Sequence, residues 1–335
     1  MDLNILWFIL ITVLFIGFFF LEGFDYGVGI LSLLIGHNDD ERRLLLYSIA
    51  PVWDGNEVWM ITAGGALFAA FPHVYATMFS TFYMALFLML LALIMRGVAF
   101  ELRGKHTSAG WRRFWDGAIF FGSAVPAFLW GVAVTNLLIG LPINSHMIYM
   151  GSFWDLLTPY TIIGGLTFLF VFTFHGAAFL TLRLVEGGMT IRIRHAAQKI
   201  GLAAIVFFVL CMILTYAQTD LFKSTLAVIL LFLAAATFIA AYISTASAKY
   251  LAGFILSSLA IVFTTAAFFA GLFPRLMVSS LRPEWSLTIY NASSTPYTLS
   301  IMSVAAGCFV PLVIAYQIWT YWIFRKRLSP KDLEH

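Results

Sequence analysis

The chain has 335 residues, 61% of them hydrophobic and only 10% charged, with a mean hydropathy of +0.93 and a formal net charge of +3. A soluble domain carries roughly 25% charged residues, so the composition excludes a soluble globular protein and predicts an all-α polytopic membrane protein, a single integral-membrane domain over 1–335. The small positive excess carries no message about nucleic acid, because membrane topology places the cations, as described below.

A helix needs about 20 apolar residues to cross a bilayer. Nine segments read as such transmembrane helices: 5–35, 51–71, 76–100, 115–139, 157–183, 197–217, 222–244, 250–273 and 299–324. Met1-Asp2-Leu3-Asn4 has no basic residue, and the apolar run behind it far exceeds a signal-peptide core, which predicts an uncleaved first helix. That span is overlong, and Gly23, Gly27 and Gly29 predict tilt or a local bend. Gly23 and Gly27 also fit the small-xxx-small pattern of helix packing. Two acids, Glu22 and Asp25, sit inside this span.

The second span opens with Pro51-Val52-Trp53-Asp54-Gly55-Asn56-Glu57 and is acidic again; Asp54 and Glu57 are three apart and share a helix face. The third ends at Arg96-Gly97-Val98-Ala99-Phe100-Glu101. Gly64-Gly65 and Gly164-Gly165 read as positions of close helix approach. Residues 218–221 make only a tight turn between the sixth and seventh spans. The longest connections are 101–114, 140–156 and 274–298, too short for a soluble domain. Cys211 and Cys308 fall in apolar runs and read as buried small hydrophobes, not as a disulfide.

The basic residues predict orientation. One side collects 16 of the 19 Lys and Arg, from Arg42 and Arg43 through the 96–113 and 183–199 clusters to Lys249 and the 325–331 cluster. Only Lys223, Arg275 and Arg282 fall on the other. By the positive-inside rule the N-terminus is outside and the C-terminus cytoplasmic. Trp7, Trp154 and Trp285 read as one interfacial belt, and Trp53, Trp111, Trp115 and Trp322 as the other.

A carboxylate at membrane depth costs about 2.5–3.5 kcal/mol on insertion scales, so such groups usually face a bundle interior or a water-filled cavity. Asp25 lies ten residues from the cytoplasmic end of its span, roughly 15 Å deep at 1.5 Å per residue. Glu101, Asp54 and Asp25 therefore read as a ladder of protonatable groups descending from the cytoplasmic surface. A second reading makes them packing groups, with Arg96 paired to Asp25 or Asp54 and Asn56 completing a static network. Of seven histidines only His175 lies well inside a span; His37, His106, His195 and His335 belong to the cytoplasmic side, His73 and His146 to the outer side. A lone intramembrane His reads as a hydrogen-bonded packing residue, and there is no Cys or His cluster with metal spacing.

Glu22-Gly23-Phe24-Asp25-Tyr26-Gly27-Val28-Gly29 resembles the first-helix signature of subunit II of cytochrome bd-type quinol oxidases. The resemblance continues through Asn38-Asp39-Asp40-Glu41-Arg42-Arg43 and the Trp53-Asp54-Gly55-Asn56 core into Ile61–Pro72, with later echoes at 111–116 and 287–294. It implies a nine-helix subunit without haem in a bacterial cytoplasmic membrane. The implied partner is a subunit I that carries the b-type haems, the d-type haem and the quinol site. Membrane lipids and a small accessory subunit are further implied partners. The implied reaction oxidises quinol and reduces O2 to water with protons drawn from the cytoplasm. On this basis Asp25, Asp54 and Glu101 are assigned to a proton path, and Glu22, Trp53, Glu57 and Arg96 to the path or to packing around it. Position 57 is Gln in some relatives and position 22 can be Asp, which ranks Glu22 and Glu57 second. The turn at 217–222 is shorter than in some relatives. Two other readings stay open: a purely structural assembly subunit, and a stand-alone proton-coupled carrier.

Overall fold

A computed structural model describes residues 2–333; His335, assigned above to the cytoplasmic side, lies outside the described residues. The helices, in chain order, are α1 (Leu3–Ile35), α2 (Asp39–Tyr47), α3 (Trp53–Ala70), α4 (Pro72–Thr81), α5 (Tyr83–Leu102), α6 (Ala109–Ile139), α7 (Pro159–Arg183), α8 (Gly188–Gln218), α9 (Thr225–Ala246), α10 (Tyr250–Leu272) and α11 (Pro296–Ile323). Helix starts follow local chemistry. The Asp2 side chain accepts from the Asn4 N–H ahead of α1, and Asn38 caps α2, whose first turn carries Asp39, Asp40 and Glu41. Thr158 and Thr161 form a reciprocal cap on α7.

Among the described residues eight helices are long and apolar enough to span a membrane: α1, α5, α6, α7, α8, α9, α10 and α11. Each falls on a predicted span. The predicted span 51–71 is also helical, as α3, but it is not one of the eight. Its first turns hold Asp54, Asn56 and Glu57, which lower its hydropathy. Predicted span 76–100 is divided at Phe82 between α4 and α5, and α8 begins nine residues before predicted span 197–217.

α1 is the organising element and packs against α3, α6, α7 and α10. The α1–α7 crossing depends on paired glycines. A Cβ on Gly27 would strike the Phe172 carbonyl and the Gly176 backbone, and one on Gly176 would strike Gly27. Gly164 and Gly165 likewise let α7 approach Gly131 and Phe128 of α6. Gly64 and Gly65 do not act as expected: nothing lies within 4 Å of a Cβ built there, and both line an apolar groove of about 710 Å³ beside α1, α5 and α6.

The two long loops on the N-terminal end of the bundle are bonded to each other, and one of them carries short β-structure that the helical reading did not predict. β1 (Arg275–Met277) pairs antiparallel with β2 (Leu287–Thr288), and Leu141 exchanges backbone hydrogen bonds with Val278 and Ser280. These loops lie over the bundle end, so their backbone groups need partners other than a helix. Trp7 departs from the interfacial belt: it is 5% exposed, and its indole N–H faces the Leu299 carbonyl and Ser303 hydroxyl. Cys308 is exposed on α11 and Cys211 is half-buried, so neither is the buried hydrophobe expected.

The opposite end is tied by ion pairs. Asp39 meets Arg103 and Arg112 at 2.7 Å each; Asp116 meets Arg103 at 2.6 Å and Arg42 at 2.9 Å; Glu41 meets Arg192 at 2.6 Å. Burial alone would raise the Glu41 carboxyl. The His37 backbone N–H and Arg192 outweigh that and hold it below the usual carboxylate range. These pairs clamp α2 against the start of α6 and against α8. Leu44 and Leu45 of α2, with Leu328 and Leu333 of the C-terminal segment, join an apolar layer that includes Phe24, Val28 and Leu31.

Candidate functional site

Above that layer lies a buried charged cluster built by four helices. Along α1 the spacing i, i+3, i+4 puts Glu22, Asp25 and Tyr26 on one face. α3 begins at Trp53, directly after Pro51-Val52, so its first two turns deliver Asn56 and Glu57; a helix N-terminus favours acids there. α5 contributes Arg96, and α11 contributes Gln317 and Tyr321. Glu22, Asp25, Asn56 and Arg96 are all 0% exposed.

Arg96 is the only cation in contact with these acids among the described residues. Its Nη1 forms an ion pair with Glu22 Oε1 and reaches Glu57 Oε1 at 3.3 Å. Its guanidinium carbon lies 5.0 Å from the Tyr26 ring centroid, 5.7 Å from Phe100 and 6.0 Å from Trp53. Gly122 of α6 makes room for it: a Cβ there would lie 2.6 Å from Arg96 Cβ. The expected pairing of Arg96 with Asp25 or Asp54 is therefore replaced. The rotation of α1 and α3 turns Glu22 and Glu57 to the arginine instead.

Asp25 is held differently. Asn56 Nδ2 donates to its Oδ2 at 2.6 Å, and its Oδ1 makes no hydrogen bond within the chain. The Asn56 oxygen in turn accepts from Gln317 Nε2 at 3.1 Å and Tyr321 hydroxyl at 2.9 Å. The network expected of Asn56 is thus present, completed by two residues that the sequence did not single out. Glu22 Oε2, Tyr26 hydroxyl, and Arg96 Nε and Nη2 are also buried without a hydrogen bond in the chain.

Asp54 and Glu101 are not drawn into the cluster. Both are exposed and make no side-chain ion pair or hydrogen bond among the described residues. Asp54 stands one turn before Glu57 on α3. Trp53 is half-buried, packing on Phe100 at 4.8 Å and covering the arginine.

His175 fits the packing role. Its ring stacks on Phe254 at 5.1 Å; its Nε2 faces the Phe20 carbonyl at 3.1 Å and its Nδ1 the Ser257 hydroxyl at 2.8 Å. A carbonyl only accepts, so the ring proton is on Nε2, and the Ser257 hydroxyl at Nδ1 also lies within hydrogen-bond reach of the Phe254 carbonyl. Both ring nitrogens thus face partners within the chain.

Residues 3–324 match the family model described as cytochrome bd terminal oxidase subunit II. The chain is 44% identical over 333 residues to cytochrome bd ubiquinol oxidase subunit 2 of Bacillus subtilis, covering 99% of this chain and 98% of the relative. It is 36% identical over 367 residues to cytochrome bd-I ubiquinol oxidase subunit 2 of Escherichia coli K12, covering 99% and 97% respectively. Its fold resembles a chain in the structure of bd oxidase from Geobacillus thermodenitrificans, with a TM-score of 0.75 at 16% identity over 96% of this chain and 99% of that one. Whole-length matches at this identity, on a bundle whose Trp53–Asn56 segment helps build the buried cluster, establish that the chain belongs to the cytochrome bd terminal oxidase subunit II family and is a membrane-embedded subunit of an oxidoreductase.

Proposed function

We propose that the chain is the haem-free subunit of a quinol oxidase. In this reading it crosses the bacterial cytoplasmic membrane nine times, N-terminus outside and C-terminus in the cytoplasm. It braces a haem-bearing subunit I, and Asp25 carries protons drawn from the cytoplasmic side. The reaction is oxidation of quinol with reduction of O2 to water. The b- and d-type haems and the quinol site belong to the partner, in keeping with the engagement of both His175 nitrogens. Nine crossings count α3 with the eight apolar helices; its 18 residues extend about 27 Å at 1.5 Å per residue, close to the roughly 30 Å of a bilayer core.

The observation that carries the proton role is the division of labour in the cluster. Glu22 and Glu57 are pinned to Arg96, whereas Asp25 is buried, takes its one side-chain hydrogen bond from a neutral amide, and has one oxygen free of hydrogen bonds within the chain. Oδ1 is then the atom that takes and releases the proton. Asp54 and Glu101 supply the approach from the basic end of the bundle. Subunit I fits the face formed by α3, α5 and α11. Asp54 is exposed there, a position that lipid would penalise, and α11 is the least buried of the eight spanning helices. Lipids and a small accessory subunit would cover other faces.

A purely structural role draws on a different observation, the buried Arg96–Glu22 pair, which ties α5 to α1. The first experiment is purification of the tagged chain from its native membrane in mild detergent, with a reduced-minus-oxidised spectrum. Co-purification of a second large subunit with b- and d-type haem bands is expected. A colourless, solitary protein would overturn the oxidase reading in favour of a stand-alone carrier. Asp54→Asn then separates path from scaffold: slowed turnover at normal haem content supports the path, and unchanged turnover removes Asp54 from it.

A further inference from the structure

We propose that Gln317 and Tyr321 of α11 are positioning residues for the proton site: together they fix the Asn56 amide so that it turns its NH2 group, and not its oxygen, to Asp25. The proposal rests on the proton role given to Asp25 above and assigns the control of that role to the last helix.

The geometry runs through a single amide. Asn56 is fully buried between α1, α3 and α11. Its two ends are nearly equal in size and opposite in chemistry, because Oδ1 accepts two hydrogen bonds and Nδ2 donates two. Sterics alone would therefore let it sit either way round. A carboxylate acceptor on one side and two donors on the other decide the matter together. Gln317 Nε2 at 3.1 Å and Tyr321 hydroxyl at 2.9 Å both point at Oδ1 and fill its lone pairs, which leaves Nδ2 facing Asp25 at 2.6 Å. A reversed amide would oppose its N–H to the Gln317 N–H and its oxygen to a carboxylate oxygen. Either contact is repulsive at so buried a position.

The consequence for Asp25 follows from hydrogen-bond roles. An amide N–H on Oδ2 is compatible with either form of the acid and confines proton exchange to Oδ1. An amide oxygen in that place would instead bind the acid proton and hold it on Oδ2, away from Oδ1. The orientation of Asn56 thus selects which oxygen exchanges its proton. The charged and titratable groups around Asp25 are Glu22 and Tyr26 from α1, Glu57 from α3, Arg96 from α5 and Tyr321 from α11. Around the neighbouring Phe24 and Val28, α2 and α7 contribute apolar side chains such as Leu45 and Phe179. Tyr321 and Gln317 are both half-buried and belong to a helix that packs on the bundle mainly through α1 and α3. A shift of α11 would reach Asp25 through these two hydrogen bonds.

The test uses the whole oxidase, purified through a tag on this chain. O2 consumption with a soluble quinol is followed against pH for Tyr321→Phe, Gln317→Leu and their double variant, with Asp25→Asn and the exposed Tyr316→Phe alongside. Haem content is read from the reduced-minus-oxidised spectrum of each preparation. Redox-difference infrared spectra report the carboxylic C=O stretch that Asp25→Asn removes. The proposal predicts normal haem content and a displaced carboxylic band in Tyr321→Phe and Gln317→Leu. It also predicts a midpoint of the pH profile moved by about 0.5 unit or more, the scale of part of one hydrogen bond. The double variant moves further, and Tyr316→Phe moves neither readout. Loss of haem in both single variants, or an unmoved profile and band, would overturn it. If Asp25→Asn collapses turnover while Tyr321→Phe and Gln317→Leu leave profile and band in place, the positioning role alone falls. If Asp25→Asn keeps wild-type turnover and profile, the proton reading falls and the inference with it.

Discussion

Arg96 and Asp25 share one buried cluster yet do not pair: the arginine binds Glu22 and Glu57, and the aspartate receives its one hydrogen bond from Asn56 at 2.6 Å. This separates two jobs that carboxylates can do at membrane depth. A carboxylate bound to a guanidinium is neutralised in place and holds helices together. A carboxylate beside a neutral amide is free to change its protonation without breaking an ion pair.

Removing Arg96 tests the first job. In Arg96→Gln, Glu22 is left buried without a counter-charge, and breaking a buried pair from one side costs about 3–5 kcal/mol. The expected outcome is a marked fall in the melting temperature of the purified complex, or failure to assemble. Glu22→Gln added to Arg96→Gln removes the stranded charge and recovers most of the loss, because neighbouring sites couple non-additively. A double variant no more stable than Arg96→Gln would show that the pair is not what Arg96 supplies.

The α1–α7 crossing predicts an asymmetry among glycines. Gly27→Val or Gly176→Val drives a side chain into the facing backbone and prevents assembly, read as loss of complex from the membrane extract. Gly64→Ala meets nothing within 4 Å and leaves yield unchanged, with a stability change within about 0.5 kcal/mol.

His175→Gln addresses the haem-free assignment. The ring lies among Phe20, Phe24 and Phe254 and bonds only within the chain, so the variant loses stability while the b- and d-type haem bands per complex stay at wild-type intensity. Disappearance of one band from an otherwise intact complex would assign that haem to this chain.

The ion pair at the basic end gives a pH dependence. The Glu41 carboxyl is held below its ordinary range of about 4.3. A depressed folded-state value stabilises above the unfolded-state value and is lost as pH falls through the folded one. At neutral pH an exposed pair of this kind contributes about 0–1 kcal/mol. Glu41→Gln should lower the melting temperature slightly at pH 7 and make it no lower than wild type at strongly acidic pH. An equal gap at both pH values would contradict the pairing with Arg192.

The spanning helices were legible because long apolar runs have few other uses, and the acids stood out against that background. The choice of partners was not legible. Whether Arg96 meets Glu22 and Glu57 or Asp25 and Asp54 depends on helix rotation by less than one turn, which spacing within one helix does not fix. Gln317 and Tyr321 were missed for a related reason. They lie 261 and 265 residues from Asn56, on a helix whose polar residues looked incidental. The one available signal was a Gln and a Tyr spaced i, i+4 on an otherwise apolar span. Gly64 and Gly65 misled because a glycine pair marks open space as readily as close approach. The short strands arise where the 274–298 loop folds back on itself, and its bonds to Leu141 of the other loop are a contact that no local pattern encodes.

Asp25→Asn in the purified oxidase is the most direct test of the central claim. The variant keeps the volume of the side chain and removes its proton. Because positioned proton transfer contributes about 10²–10⁴-fold, O2 consumption should fall at least about tenfold while the reduced-minus-oxidised haem spectrum per complex stays unchanged. Wild-type turnover, or loss of haem in step with activity, would contradict the account and leave the buried acids as parts of the scaffold.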